Sequence, residues 1–484
     1  MNTRTATPST PVETGRSDRA WGPILGLVLV GIAALEAARP LGDNSFLTHL
    51  STGRLILEGG GLPVSDPYTF TSAGESWIAQ SWFASVLYAL VEAGSGGLGL
   101  RLLHMSLVAV LAALVWWLTS PAVAPTTRLV VAAPVIMLGL SRWSERPHLL
   151  GLIGLALVLA ALQGRIDPRL LVPVMWVWVN SHGSFPLAFA LVGAWLMGAL
   201  MDRRGVGPAL TTLAWVVAGV LVAGLNPYGP RLWVFPLELM GRSDVLREYV
   251  KEWQPIGIGQ RSAMIFAVIV LLAVLAASRT RRWAEVLPAV GFAVGAFMST
   301  RNTAPATIVM IPVLVRGLTG EEIGRLPSVS AATARRVMTA LTGVFALAVV
   351  ALLGVVPSWD WEGYPTVSLD KATDLGLTDP SVRLVARDFV GNLRAFREGA
   401  NQSIFIDDRY ELHDEELISD QAQLLNGISW EEILDRYRAD VVLWEADTEL
   451  GQALVESDQW ETIESEPGWI MACRRDSMVA SNCR

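Results

Sequence analysis

The sequence predicts an α-helical polytopic membrane protein of about eleven spans, carrying a small α/β soluble domain at its C-terminus. Three observations predict this fold class. Mean hydropathy is +0.42, with 52% hydrophobic and only 17% charged residues. Apolar runs of the length a hydrocarbon core of about 30 Å selects recur along most of the chain, as at 21–38, 98–119, 208–224 and 337–357. Charge is also split: residues 358–484 carry a net charge near −16, which leaves about +8 on the rest, much of it Arg in short loops.

Residues 1–20 are rich in Thr, Ser and Pro, hold Arg4, Arg16 and Arg19, and contain no apolar series. They read as a disordered cytoplasmic leader. The long apolar stretch that follows lacks a convincing cleavage site and reads as an uncleaved signal-anchor. Positive-inside bias then places Arg165 and Arg169, Arg203 and Arg204, Arg279 with Arg281 and Arg282, and the stretch 316–336 on the cytoplasmic side. Between these anchors fit spans 21–38, 98–119, 127–142, 147–163, 169–182, 184–201, 208–224, 263–278, 284–299, 303–317 and 337–357, giving a transmembrane domain over 21–357.

Segment 77–93 is also long enough to cross, yet it holds Gln80, Ser81 and Glu92. A full crossing there would invert every later loop, so a partly inserted or in-plane helix is expected, with a twelfth span as the alternative. With that threading the unusual polar residues collect on the outer side: the first loop (39–80), 142–148, 180–183, 226–228, 247–253 and 299–302. Several sit at the ends of apolar helices, where charge is costly unless a cavity hydrates or pairs it. An outward-facing cavity is the expectation.

The first loop is the most informative stretch. Phe46, Leu47, Leu50 and 55–57 have roughly helical spacing, which suggests a short amphipathic helix on the membrane surface. Asp43 precedes it, either as a plain helix cap or as a working carboxylate. Asp66-Pro67-Tyr68 makes a good turn without needing chemistry. In the tail, apolar runs shorten to strand length at 403–406, 441–444 and 469–472, with helical character at 420–425 and 430–437. Asp407-Asp408-Arg409 closes one of those strands and reads either as a site or as a salt-bridged turn. Cys473 and Cys483 are compatible with one disulfide in an extracytoplasmic tail or with two free thiols. No Cys/His spacing resembles a zinc site, and no Gly-rich phosphate loop points to a nucleotide sugar.

A first span followed by an Asp-led external loop with a surface helix resembles the GT-C class of polytopic glycosyltransferases, which includes the protein O-mannosyltransferases and the catalytic subunit of oligosaccharyltransferase. More closely, the run D-x-x-x-x-x-H-L-x-T-G-R-x-I-L-x-x-G-x-x-P-x-x-D-P-Y-x-F-T-x-x-G-x-x-W that starts at Asp43 resembles a group of bacterial GT-C-like membrane proteins. Further matches are Arg146-Pro147-His148, Asn180-Ser181-His182-Gly183, Asn226-Pro227-Tyr228-Gly229, Glu252-Trp253 and 405–412.

The resemblance implies transfer of a sugar from a polyprenyl-phosphate donor at the outer face of a bacterial inner membrane, in building the cell envelope. It makes Asp43 the catalytic carboxylate, because inverting transfer needs a base for the acceptor hydroxyl. Arg146, Arg247, Lys251 and Arg301 become candidates to hold the lipid phosphate, with Arg suited to bidentate contact. His49, Arg54, Asp66, His148, Asn180 and His182 join them as substrate-binding candidates. The bland reading of His49 is packing, and that of His182 is a helix-turn hydrogen bond.

Many members of the class carry two adjacent acids where this chain has Asp43-Asn44, which weakens metal binding through an acid pair and leaves a divalent metal as an open expectation. The expected partners are the lipid-linked sugar and membrane lipid; no nucleic-acid partner is expected. A transporter or flippase for a lipid-linked or small polar substrate would call for inverted repeats, and none is evident. A non-catalytic envelope-assembly scaffold is the third reading.

Overall fold

The computed structural model describes residues 20–59, 61–121, 124–242, 247–257, 259–319 and 326–483. Nearly all of the leader therefore lies outside the described residues.

The membrane part is helical. In chain order it comprises α1 (Trp21–Glu36), α2 (Asn44–Gly59), α3 (Trp82–Leu118), α4 (Pro125–Leu140), α5 (His148–Leu162), α6 (Leu171–Ser181), α7 (Pro186–Met201), α8 (Gly207–Ala223), α9 (Arg231–Gly241), α10 (Arg261–Thr280), α11 (Trp283–Met298), α12 (Thr303–Leu318) and α13 (Ala331–Val355). Helices α3, α10 and α13 are long and apolar enough to cross a bilayer; α1, α4, α5, α7, α8 and α11 are shorter apolar helices. Large side chains on their outer faces are open, among them Met137, Met197, Leu221, Leu275 and Leu347, the last 72% exposed. An apolar belt of this extent suits lipid and not water. Helices α5 and α12 are buried almost throughout and form the centre of the bundle.

The two ends of the bundle differ in chemistry. At one end lie the arginines of the short loops. Arg165 stacks 3.9 Å over Trp117, Arg316 holds the buried Glu285 at 2.5 Å, and Asp202 accepts from the free backbone N–H groups of Trp283 and Ala284 at the start of α11. At the other end α2, α9 and the tail cover the helix termini. There the buried Arg101 donates to carbonyls that close α1 and α13, Ala38 O and Val356 O, and so serves both helix C-termini.

Residues 82–95, the ambiguous segment, stay at this second end. The helix begins where Trp82 meets Asn180 and lies along α2, with Phe46 and Tyr88 rings 5.0 Å apart. It breaks at Gly96, whose φ of 58° and ψ of −156° belong to a region that only glycine adopts readily. Only beyond that break does α3 descend through the bundle. The contact between α2 and the first part of α3 is close because residue 53 is glycine: a Cβ there would come 1.9 Å from the Ser85 carbonyl oxygen.

The surface-helix expectation for 46–57 changes in one respect. Phe46, Leu47 and Leu50 are buried by protein, with Leu47 in the core of the tail and Phe46 and Leu50 against α3. The apolar face of α2 is therefore sandwiched between the tail and α3.

The tail continues as α14 (Thr366–Asp374), β1 (Leu384–Ala386), α15 (Asp388–Glu398), α16 (Glu415–Leu425), α17 (Trp430–Arg436), β2 (Val441–Glu445), α18 (Glu449–Glu456), β3 (Trp460–Glu466) and β4 (Trp469–Arg474). The sheet has the order β1-β2-β4-β3, with β1 parallel to β2 and the other pairs antiparallel. Segment 403–406 is not a strand of this sheet. Ile404 makes single bridges to Leu384 and to Thr69 of the first loop, so it sutures the first loop to the domain. Cys473 and Cys483 form a disulfide that ties the chain end to β4.

Candidate active site

A cavity of about 1030 Å³ lies between the second end of the bundle and the tail. One wall comes from α2, whose Asn44, Ser45, Thr48, His49 and Thr52 face it at helical spacing. The apolar floor comes from Leu187 and Ala190 of α7, Phe235, Leu239 and Met240 of α9, and Met298 of α11. Cations ring it: Arg146, Arg247, Lys251, Arg301, Arg387 and Arg409. The tail closes it with Asp388, Asp408, Tyr410 and Gln421.

Asp43 stands just behind this lining. Its carboxylate caps α2, accepting from Ser45 N at 3.0 Å, and it is held by Arg146 Nε at 2.6 and 2.7 Å through both oxygens. Glu145 accepts from the backbone N–H groups of Gly42 and Asp43 at 2.8 and 2.9 Å, which fixes the turn. Arg146 then reaches into the cavity and pairs with Glu252 at 2.9 Å. Asp43 thus caps α2 and aims the Arg146 guanidinium.

Arg301, also on the lining, packs 4.4 Å over the Trp253 ring, and among the described residues no carboxylate lies within ion-pairing distance of it. Lys251 lines the same side. Arg247 does as well. His49 is held neutral, its pKa lowered to about 4 by burial and then by the charge of Arg146. His182 lines the cavity and its Nδ1 lies 2.8 Å from Ser184 Oγ.

The other sequence candidates stand off the lining. His148 Nε2 sits 2.8 Å from the Arg142 carbonyl oxygen, with its ring 6.3 Å from that of His182. Asn180 is fully buried, donating to Trp176 O and accepting from Trp82 Nε1. Arg54 grips Glu92 at 2.6 and 2.7 Å and donates to Phe396 O, joining α2, α3 and α15. Asp66 is buried in its turn, accepting from Tyr68 N at 3.0 Å and pairing with Arg409 at 2.6 Å.

Two adjacent tail residues part company. Asp407 faces inward to Arg409 and His413, and His413 Nδ1 in turn meets Ser72 Oγ at 3.0 Å. Ser72, His413 and Asp407 have the order of a nucleophilic triad, yet all are buried and none lines the cavity, so they act as a latch between first loop and tail. Asp408 faces the cavity. It accepts from Ser45 Oγ, lies 3.3 Å from Thr48 Oγ1, and its backbone N–H donates to Asn392 Oδ1 at 3.2 Å. Burial, with the neighbouring Asp407 charge, pushes its pKa up to about 7. Sequence reasoning reached Asp407-Asp408-Arg409 as a strand end but had no signal for which of the three faces a cavity.

No group of three or more His, Cys, Asp or Glu side chains is gathered to hold a metal ion among the described residues. With Asp43 bound through both oxygens by Arg146 and followed by Asn44, this corner fits a cation-paired carboxylate and not a divalent ion.

No protein-family model and no curated protein matches the chain. Among solved structures, it is similar to ArnT from Cupriavidus metallidurans bound to undecaprenyl phosphate, with 12% identity over 97% of this chain and 99% of that one, at a TM-score of 0.48.

Proposed function

We propose that the protein is a membrane glycosyltransferase that moves a sugar from a polyprenyl-phosphate donor to an acceptor on the outer side of a bacterial inner membrane. The observation that carries this reading is a single cavity with an apolar floor, a ring of cations and a polar wall supplied by the tail. A prenyl chain fits the floor of Leu187, Phe235, Leu239, Met240 and Met298. Its phosphate fits Arg301 and Lys251, which lack carboxylate partners among the described residues, with Arg146 and Arg247 adding positive charge. The sugar then faces α2 and the tail, where Thr48, His49, His182 and Asp408 offer neutral and acidic hydrogen-bond partners.

In this reading the arginine-rich end is cytoplasmic, the helices α1, α3 beyond Gly96, α4–α8 and α10–α13 make eleven crossings, and the tail lies outside. Asp43 is a positioning residue: it sets the angle at which Arg146 meets the substrate. The Asp43→Asn variant keeps the cap but weakens the hold on Arg146. Glycan profiling of a deletion strain complemented with this variant is expected to show reduced transfer with a raised KM for donor in isolated membranes, while Arg301→Ala abolishes it. Envelope glycans identical in the deletion strain and its parent would sink the assignment.

A further inference from the structure

We infer that Asp408, supplied by the tail and not by the first loop, is the general base that takes the proton from the acceptor hydroxyl. The inference rests on the glycosyl-transfer reading above and assigns that reaction its proton acceptor.

Placement carries the case. Inverting displacement at an anomeric carbon needs a carboxylate facing the acceptor, on the opposite side of the sugar from the phosphate. Asp43 is ill suited, because Arg146 engages both of its oxygens and it stands off the lining. Among the other acids on the lining, Glu252 is paired with Arg146. Asp388 accepts a close hydrogen bond at each oxygen, from Tyr410 Oη at 2.8 Å and Gln421 Nε2 at 3.1 Å, whereas at Asp408 only the Ser45 hydroxyl is close, because Thr48 donates to Asn392 Oδ1 at 2.8 Å and lies 3.3 Å from Asp408. Glu411 sits among Arg409, Asp407 and His413, whose charges it feels, on the latch side. Asp408 instead has hydroxyl partners, Ser45 and Thr48, has no cation within ion-pairing distance among the described residues, and feels the charge of Arg146, so it lies toward the cation that Asp43 aims. A carboxylate contacted by hydroxyls and not by guanidinium groups keeps a lone pair basic enough to accept a proton.

The step balances as follows. The acceptor oxygen forms a bond to the anomeric carbon as its proton passes to an Asp408 carboxylate oxygen. The bond from that carbon to the phosphate oxygen breaks, and its electron pair stays on the polyprenyl phosphate, held by Arg301 and Lys251. The protonated Asp408 returns its proton to water once product leaves.

The charged and titratable groups that act on Asp408 are Asp407 on its own segment, Arg146 from the loop before α5, Asp388 at the start of α15, and the Tyr364 and Tyr410 hydroxyls. Its elevated proton affinity, near pH 7, makes the active form the one present above neutrality, so transfer should rise as pH increases through that range.

The test uses the full-length protein in membrane vesicles of its host, which hold their own lipid-linked sugars, with a C55 polyprenyl phosphate as the binding probe in detergent. Asp408→Asn should cut transfer by about 10²- to 10⁴-fold, the span general base catalysis provides, while the probe binds with unchanged affinity. Asp408→Glu should keep part of the rate with an acidic limb, and Asp408→Asn should flatten that limb in its residual rate. Transfer at the parental rate in Asp408→Asn, or loss of probe binding together with transfer, overturns the inference while leaving the transferase reading intact. Absence of both probe binding and transfer in the parent protein overturns both.

Discussion

Two polar clusters join the first loop to the tail, and each is built around an arginine paired with aspartate. One is nearly closed: Asp66, Arg409, Asp407, His413 and Ser72 pair with one another, their side chains almost wholly out of solvent, and of these five only Arg409 touches the cavity, where its Nη1 has no partner among the described residues. The other is open: Asp43, Arg146, Glu252 and Asp408 lie along or just behind a cavity of about 1030 Å³, with Asp408 unpaired by any cation among the described residues. The difference teaches that an Arg–Asp pair marks a site only where a cavity leaves one partner something further to bind. Closed clusters fix register between parts of a fold, whereas open ones retain capacity for a substrate.

The largest effect that distinguishes them concerns stability. Arg409→Ala leaves Asp66 and Asp407 buried without their cation, which is expected to cost about 3–5 kcal/mol and to appear as a large drop in the thermal unfolding midpoint of the purified protein. A midpoint near the parental one, with activity lost, would move the closed cluster into the working site.

A smaller effect separates the clusters by pH. Burial alone would raise the Asp407 carboxyl, but the Arg409 charge and the His413 hydrogen bond outweigh it and hold the group well below the usual carboxylate range. Its stabilisation is therefore complete above about pH 4, the unfolded value, and is lost only as pH falls further, through the lower folded value. Asp408 runs the other way. Its folded pKa, about 7, exceeds the unfolded one, so between about pH 4 and 7 the native state binds a proton that the unfolded chain does not, and stability falls as pH rises across that window. Asp408→Asn should thus unfold at a higher temperature than the parent at pH 8 and lose that advantage toward pH 5. Parallel stability profiles over pH 5–8 would contradict the open character of Asp408.

Much of the architecture was legible in the sequence because it follows from hydropathy. The apolar runs from 21–38 to 337–357 coincide with helices to within a few residues, apart from α3, whose stretch before Gly96 precedes the run at 98–119, and α13, which begins earlier, and the arginine loops collect at one end of the bundle. Trp77–Ala93 was ambiguous for a physical reason: its composition allows a crossing, and only the Gly96 backbone angle and the close α2 contact at Gly53 show that it turns along the end of the bundle. Segment 403–406 has strand composition but pairs at single points on each side, a distinction that no local propensity encodes.

In the site, the sequence order brought out Arg146, His182, Lys251 and Arg301, which do share a cavity, and Arg54, Asp66, His148 and Asn180, which lie off it. Motif order reports which residues belong together in chain position, but not which side of a turn each faces. Asp408 was visible only as one of three polar residues at a strand end, because the alternation that buries Asp407 and opens Asp408 depends on where α2 docks.

The most direct measurement is sugar transfer by the purified full-length protein in lipid nanodiscs, supplied with polyprenyl-phosphate-linked sugars and a host acceptor fraction. The account predicts an inverted glycosidic product, competition by free polyprenyl phosphate, and loss of both binding and product in Arg301→Ala. A folded protein that binds no polyprenyl phosphate and transfers no sugar would contradict it.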